Sequence, residues 1–287
     1  MPAPSCEHFF PTRDYDLDAT LSCGQAFRWN QVADGWESVI AGCWVRLTAR
    51  PDGLAVTTTQ PITDWRWLAT YLQTHVALEP ILASFPQDEP LRQAVAECRG
   101  LRLLRQDRWE CLASFLLSAT KQIVQIRQII ACLCQRYGNP VVVPPGTPPA
   151  FSFPPAARLA ACTEAELRAC KMGFRAPHLL EAAHRVAEGR LVLEQLDQMS
   201  LEEARATLCE SPGVGPKIAD CVLLFSCEFP RAFPVDVWIQ RALRQLYFPR
   251  RAPSRARLSQ FIATYFGPNA GYAQQYLFHS IRRRASA

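Results

Sequence analysis

The stretch Leu208-Cys209-Glu210-Ser211-Pro212-Gly213-Val214-Gly215-Pro216-Lys217-Ile218-Ala219-Asp220 restricts this chain more than any other. A helical pattern stops at Pro212, and two glycines allow a tight reversal. Pro216 then opens a second helix at the first position, where its missing N–H would have no partner anyway. A hairpin between two helices follows. Gly213 and Gly215 let a partner's backbone come close, and amide groups at the second helix's N-terminus suit a phosphate oxygen. The plainer reading of the same residues is an ordinary helix connection, because Gly and Pro occur in many turns.

Lys217 starts the second helix, and nineteen residues later Phe233-Pro234-Val235-Asp236-Val237-Trp238 puts Asp236 at a helix N-cap. A neutral lysine amine can attack an electrophilic sugar carbon, while a carboxylate can stabilise positive charge on that sugar or move a proton. A surface lysine and a capping aspartate are the commoner roles of such residues. Lysine is scarce here, however, occurring only at Lys121, Lys171 and Lys217. The remaining basic residues are arginines, which suit bidentate contacts to phosphates and base edges.

A chain of 287 residues, 49% hydrophobic, is long enough for one large unit or two modest domains. Its net charge of +5 is a mild excess that identifies no partner by itself. The 12 cysteines are scattered, many in apolar helical stretches (Cys111, Cys132, Cys134, Cys221), with no secretory signal ahead of them. They read as reduced and buried, in an intracellular protein. Cys132-Leu133-Cys134 is too tightly spaced for a zinc pair, so no metal site is expected from it. No apolar run approaches membrane-spanning length, so a soluble protein is expected.

Residues 22–59 alternate short strand-like segments (26–29, 36–40, 44–49, 54–58) with Gly and Pro-Asp-Gly punctuation, predicting an antiparallel meander. Beyond residue 64 the periodicity is helical, including a long segment over 109–137. A Pro-rich passage at 139–155 is an ordered loop or exposed linker, since its prolines forbid a helix interior or central strand. Helices resume from 163 to 283. The fold class is therefore α+β, an antiparallel-sheet N-terminal domain over 1–105 packed on an α-helical region over 106–287.

With these residues in view, the chain resembles the helix-hairpin-helix (HhH-GPD) DNA glycosylase superfamily, and within it the 8-oxoguanine DNA glycosylase/AP lyases. The likeness runs over residues 22–278. It rests on Cys23-Gly24-Gln25-Ala26-Phe27-Arg28-Trp29, on 110–117, on 212–221 with 234–237, and on Gly267-Pro268-Asn269-Ala270-Gly271-Tyr272-Ala273-Gln274 with Leu277-Phe278. The resemblance implies that Lys217 displaces the base and forms a Schiff base with the sugar, with Asp236 as its electrostatic and acid–base partner. It makes the Gly24 carbonyl the acceptor of the N7–H that 8-oxoguanine has and guanine lacks. Gln274 would bind the Watson–Crick edge of the flipped base, and Cys221 and Phe278 would sandwich its ring. Gly213, Gly215, Arg175, Thr120 and Lys121 would meet the DNA.

The departures are equally specific. Where the family has asparagines that fill the vacated gap, this chain has Ser118-Ala119-Thr120-Lys121-Gln122, and Thr120 offers no amide to a cytosine. Gln125 stands for an arginine that reads the opposite cytosine, Arg175 matches a second such arginine, and Trp238 replaces a histidine. No cysteine follows Cys227, so the iron–sulfur cluster of some relatives is not expected. The family's hairpin allows a cation on backbone carbonyls, here those of Cys209, Ser211 and Val214. Three readings result: a bifunctional enzyme excising 8-oxoguanine from damaged double-stranded DNA, an alkylated-base glycosylase, and a nonenzymatic hairpin protein that only grips DNA. The first is expected, acting as a monomer in the cytoplasm or nucleoid of a bacterium or the nucleus of a eukaryote.

Overall fold

Two-residue turns set the register of the N-terminal sheet. The computed structural model describes residues 6–118 and 122–286. Strand β1 (Cys6–Pro11) and helix α1 (Leu17–Ser22) precede β2 (Asn30–Val32), β3 (Gly35–Ile40), β4 (Cys43–Arg50) and β5 (Gly53–Thr58). The strands pair antiparallel in the order β1-β5-β4-β3-β2. Ile40 faces Cys43 across Ala41-Gly42, whose φ values of 49° and 75° match the tight turn that strand twist favours. One sheet face buries Trp36, Leu47, Leu54 and Val56 against Leu17 and Leu21 of α1 and against Leu68 and Leu72 of α2 (Arg66–Leu72).

The meander is as predicted at three strands (β3, β4, β5) and differs at three places, one of them the short strand β2, which falls between the expected segments. Segment 26–29 is not a strand: Ala26 and Trp29 enter the sheet core while Phe27 enters the helical core. Its alternation of apolar residues thus reflects a bridge between two cores. Strand β1 carries little apolar alternation and takes its structure from pairing with β5 along its whole length.

After α3 (Leu78–Ala83) and α4 (Glu89–Cys98), the segment expected as one long helix is two, α5 (Arg108–Ser118) and α6 (Ile123–Tyr137). A capping box between Gln122 and Gln125 starts α6 afresh. The Pro-rich passage is an ordered strap. It contains a two-strand ribbon, β6 (Pro140–Val141) with β7 (Ala150–Phe151), and its carbonyls are held from three sides. Thr59 donates to Val142 O (2.7 Å), Arg28 to Phe151 O (2.6 Å) and Trp109 to Pro154 O (3.0 Å).

The remaining helices are α7 (Ala156–Ala160), α8 (Glu164–Leu167), α9 (Ala176–Ala187), α10 (Leu201–Cys209), α11 (Pro216–Ser226), α12 (Val237–Tyr247), α13 (Arg255–Tyr265) and α14 (Ala270–Ser286). Helix α11 is the axis of the helical core, with every residue from Ile218 to Ser226 buried. It packs on α5 and α10, and α14 packs on α4 and α12. Leu78, Leu82, Leu91 and Leu101 belong to this helical core although they precede residue 105, so the chain enters it before leaving the sheet region for good. Among the described residues no helix is long and apolar enough to cross a membrane.

Candidate active site

The hairpin is built by local rules. Ser200 and Glu203 form a capping box that starts α10, and Pro216 occupies the first turn of α11. Between them the Val214 N–H donates to the Ser211 carbonyl at 3.0 Å, closing the turn. Arg205 of α10 donates to Asp220 of α11 at 2.7 Å, clamping the two helices. Burial pushes the Asp220 carboxyl up to about 6, and the Arg205 charge opposes the rise.

The two hairpin glycines differ in kind. Gly213 has φ +85°, and a Cβ there would stand 2.1 Å from His178 Nδ1 and 2.9 Å from His178 Cβ on α9. Gly215 has an extended backbone with φ −102°, and nothing lies within 4 Å of a Cβ built on it. Gly213→Ala is therefore expected to destabilise the protein by about 2 kcal/mol, from left-handed backbone strain and the displaced imidazole. Thermal melting should show a midpoint lowered by roughly 4–8 °C. Gly215→Ala should melt close to wild type, and equal midpoints for the two variants would refute the distinction.

One cavity of about 1180 Å³ lies against the hairpin. It is lined by Gly24, Lys217, Cys221, Asp236, Gln274 and Phe278, so all the expected catalytic and base-recognition residues meet on a single surface. Arg175, Gly213, Gly215 and Trp238 line it as well. Thr120 and Lys121 lie outside the described residues.

Lys217 is half-buried. Its Nζ donates to Ser118 Oγ at 3.3 Å and sits 5.2 Å from the centre of the Phe115 ring. Ser118 in turn donates to the Phe115 carbonyl at 2.8 Å, which fixes the hydroxyl oxygen as the acceptor for the amine. Asp236 caps α12, its carboxylate accepting from the Ile239 N–H at 2.8 Å. Among the described residues no ion pair joins Lys217 to Asp236; each is held by its own partner while facing the same cavity.

Cys221 stands one helical turn beyond Lys217. Burial pushes its thiol up to about 12, with nearby Lys217 pulling the other way, so it is an uncharged surface at neutral pH. Gln274 is buried, and its amide oxygen has no hydrogen-bond partner among the described residues. Buried amide oxygens are ordinarily hydrogen-bonded, so this one, in a cavity wall, is an acceptor that a group in the cavity can reach. Helix α14 carries Gln274, Phe278 and Arg282 at four-residue steps on one face, and all three line the cavity.

Gly24 is presented by a rigid loop. Gln25 is fully buried and donates to the carbonyls of Thr20 and Arg102, both at 2.8 Å. It accepts from the Leu104 N–H, and its own carbonyl accepts from Gln106. Gln275 of α14 donates to the Cys23 carbonyl at 3.1 Å, tying the loop to the helix that carries Gln274. The two sequence segments around Trp29 and Cys111 meet through an ion pair, Arg28 to Glu110 at 3.1 Å. Burial raises the Glu110 carboxyl and the Arg28 charge opposes it.

Sequence reasoning did not single out Phe115, His178 or Arg282, and it named Ser118 only within the 118–122 departure, not as the partner of Lys217. Arg282 could have been found by counting four residues on from Phe278 along the helix. The other three act through contacts between elements remote in sequence.

Residues 9–112 match the 8-oxoguanine DNA glycosylase N-terminal domain, and residues 113–268 match the HhH-GPD superfamily base excision DNA repair protein. The chain belongs to the HhH-GPD superfamily. A Methanothermobacter thermautotrophicus relative of this HhH-GPD protein, named a probable N-glycosylase/DNA lyase, is 29% identical over 95% of both chains. The solved structure of MBOgg1 in complex with a low-affinity DNA ligand superposes with a TM-score of 0.92. It is 33% identical and covers 97% of this chain and 96% of its own. The 8-oxoguanine glycosylase/lyase of Clostridium acetobutylicum, solved with double-stranded DNA containing cytosine opposite 8-oxoG, gives a TM-score of 0.89. Its identity is 28%, covering 97% of this chain and 98% of that one.

Proposed function

We propose that this HhH-GPD protein is a bifunctional DNA glycosylase and AP lyase that flips 8-oxoguanine out of duplex DNA, excises it and nicks the strand. The observation that carries this is the convergence of Lys217, Asp236, Gly24, Cys221, Gln274 and Phe278 on one cavity, with the Gln274 amide oxygen left for an incoming group. The lysine separates this reading from an alkylated-base glycosylase, which ordinarily uses water. Damaged double-stranded DNA is the partner, gripped at the hairpin by Gly213 and Gly215 and at the rim by Arg175. The protein acts as a monomer in a reducing compartment, in keeping with its free cysteines.

The flipped base lies between the Cys221 thiol and the Phe278 ring, its Watson–Crick edge on Gln274 and its N7–H on the Gly24 carbonyl. Lys217 attacks C1′ as a neutral amine; the C1′–N9 bond breaks and its electron pair leaves with the base. The base is protonated as the new C1′ amine loses a proton. Asp236 stabilises the positive charge that grows on the sugar and relays the proton. Opening of the sugar ring gives the imine. Loss of a C2′ proton then breaks the C3′–O bond, releasing the 3′-phosphate, and water hydrolyses the imine to restore Lys217.

The test is incubation with duplexes carrying one 8-oxoguanine opposite each of the four bases, with borohydride present in a parallel set. Base release, a nick and a trapped covalent adduct are expected. The opposite-base series also reads the consequence of Thr120 and Gln125 standing where the family has an amide and an arginine. Absence of both adduct and alkali-labile sites on all four duplexes would sink the reading and turn attention to 3-methyladenine duplexes.

A further inference from the structure

We infer that Arg282 is a specificity-determining residue that donates to the C8 oxygen of the flipped base, so that 8-oxoguanine is read at two adjacent atoms. The inference rests on the cavity being the 8-oxoguanine pocket described above. Arg282 is the third member of the α14 stripe after Gln274 and Phe278, and it lines the same cavity. Its guanidinium carbon lies 5.3 Å from the centre of the Phe278 ring. One of its terminal nitrogens stands 3.0 Å from where a Cβ on Gly24 would be, with Phe278 Cε1 at 3.6 Å from the same point. The guanidinium is thus held at the two groups that meet the base, the stacking ring and the backbone of Gly24.

The chemistry of the lesion gives that placement meaning. Relative to guanine, 8-oxoguanine gains a proton on N7 and an oxygen on C8, and these neighbouring atoms form one edge of the ring. The Gly24 carbonyl can only accept, so it meets the N7–H. A guanidinium can only donate, so beside Gly24 it meets an acceptor flanking N7, and of the two, O6 and the C8 oxygen, only the C8 oxygen is new to the lesion. Guanine presents a bare N7 acceptor against the Gly24 carbonyl and has no C8 oxygen. A charged donor in a partly desolvated wall makes the stronger class of hydrogen bond. Gly24 has φ +83°, and any side chain on it would also press on the guanidinium, so the glycine keeps the acceptor and the donor side by side.

The competing role for an arginine at this rim is a phosphate contact. Both are resolved by comparing two substrates, a duplex with 8-oxoguanine opposite cytosine and a duplex with a ready-made abasic site, which has the phosphates but no base. The variants are Arg282→Met, which keeps the aliphatic stem and helix propensity, and Arg282→Lys, which keeps a donor. The readouts are single-turnover base release, borohydride trapping on the abasic duplex, and melting temperature. For Arg282→Met the ratio of base release to abasic-site trapping is expected to fall by about 10- to 100-fold relative to wild type. Arg282→Lys should recover part of the ratio. An unchanged ratio overturns the inference: equal loss on both substrates assigns Arg282 to phosphate, and no loss on either leaves it outside recognition. Failure of the wild type itself to release 8-oxoguanine overturns the underlying reading of the pocket instead.

Discussion

Lys217→Gln is expected to leave no borohydride-trapped adduct on 8-oxoguanine duplexes and to slow base release by about 10,000-fold or more, the scale on which loss of a nucleophile is felt. That factor corresponds to about 5 kcal/mol of lost transition-state stabilisation. The substitution keeps a long side chain with comparable helix propensity in the first turn of α11, so folding should survive it. What is lost is the amine held between Ser118 Oγ and the Phe115 ring. The scarcity of lysine makes the result easy to interpret, since only Lys121 and Lys171 remain as side-chain amines. Lys171 is exposed at a left-handed bend (φ 64°) and is not among the residues lining the cavity. A trapped adduct that persists in Lys217→Gln would move the nucleophile elsewhere and remove the central residue from the proposed mechanism.

Asp236→Asn is expected to lower base release by about 100- to 10,000-fold while leaving the melting temperature nearly unchanged. The two effects separate because the carboxylate has two jobs. As N-cap of α12 it accepts from the Ile239 N–H at 2.8 Å, and asparagine caps about as well as aspartate. As a charge in the cavity it stabilises a positive sugar, which a neutral amide cannot. Asp236→Ala should lose both, adding about 1 kcal/mol of destabilisation from the missing cap. If Asp236→Asn releases base at the wild-type rate, the residue is only a cap. The measurement that decides is the single-turnover rate alongside the melting curve of the same preparation.

Several site residues also have a structural role, and the structure shows why such residues resist reading singly. Asp236 is a cap as well as a wall of the cavity. Cys221 is a buried core residue of α11 and also lines the cavity. Gly24 turns a loop and also fronts the cavity. In each case the structural and the site placement coincide in one residue, so neither excludes the other. The pattern that distinguishes them is convergence: residues from the 23–27 loop, α11, α12 and α14 meet on one surface, although more than 200 positions separate the first from the last.

What the sequence determined by itself is whatever neighbouring residues can enforce. The hairpin, the Pro216 start of α11, the cap at Asp236 and the face of α14 follow from turn chemistry, capping and the 3.6-residue period, which act over a few positions. The sheet meander was legible for the same reason, except where 26–29 divides its side chains between two cores. Only the tertiary structure decided the contacts that cross elements. Nothing local to Lys217 says that Phe115 and Ser118 will lie beneath it, or that His178 will fill the space behind Gly213. Nor does anything local to Gly24 announce the guanidinium of Arg282. Such contacts depend on the angles and distances at which α5, α9, α11 and α14 pack. Those are fixed by the summed shape of the buried side chains, which leaves no short pattern in the chain.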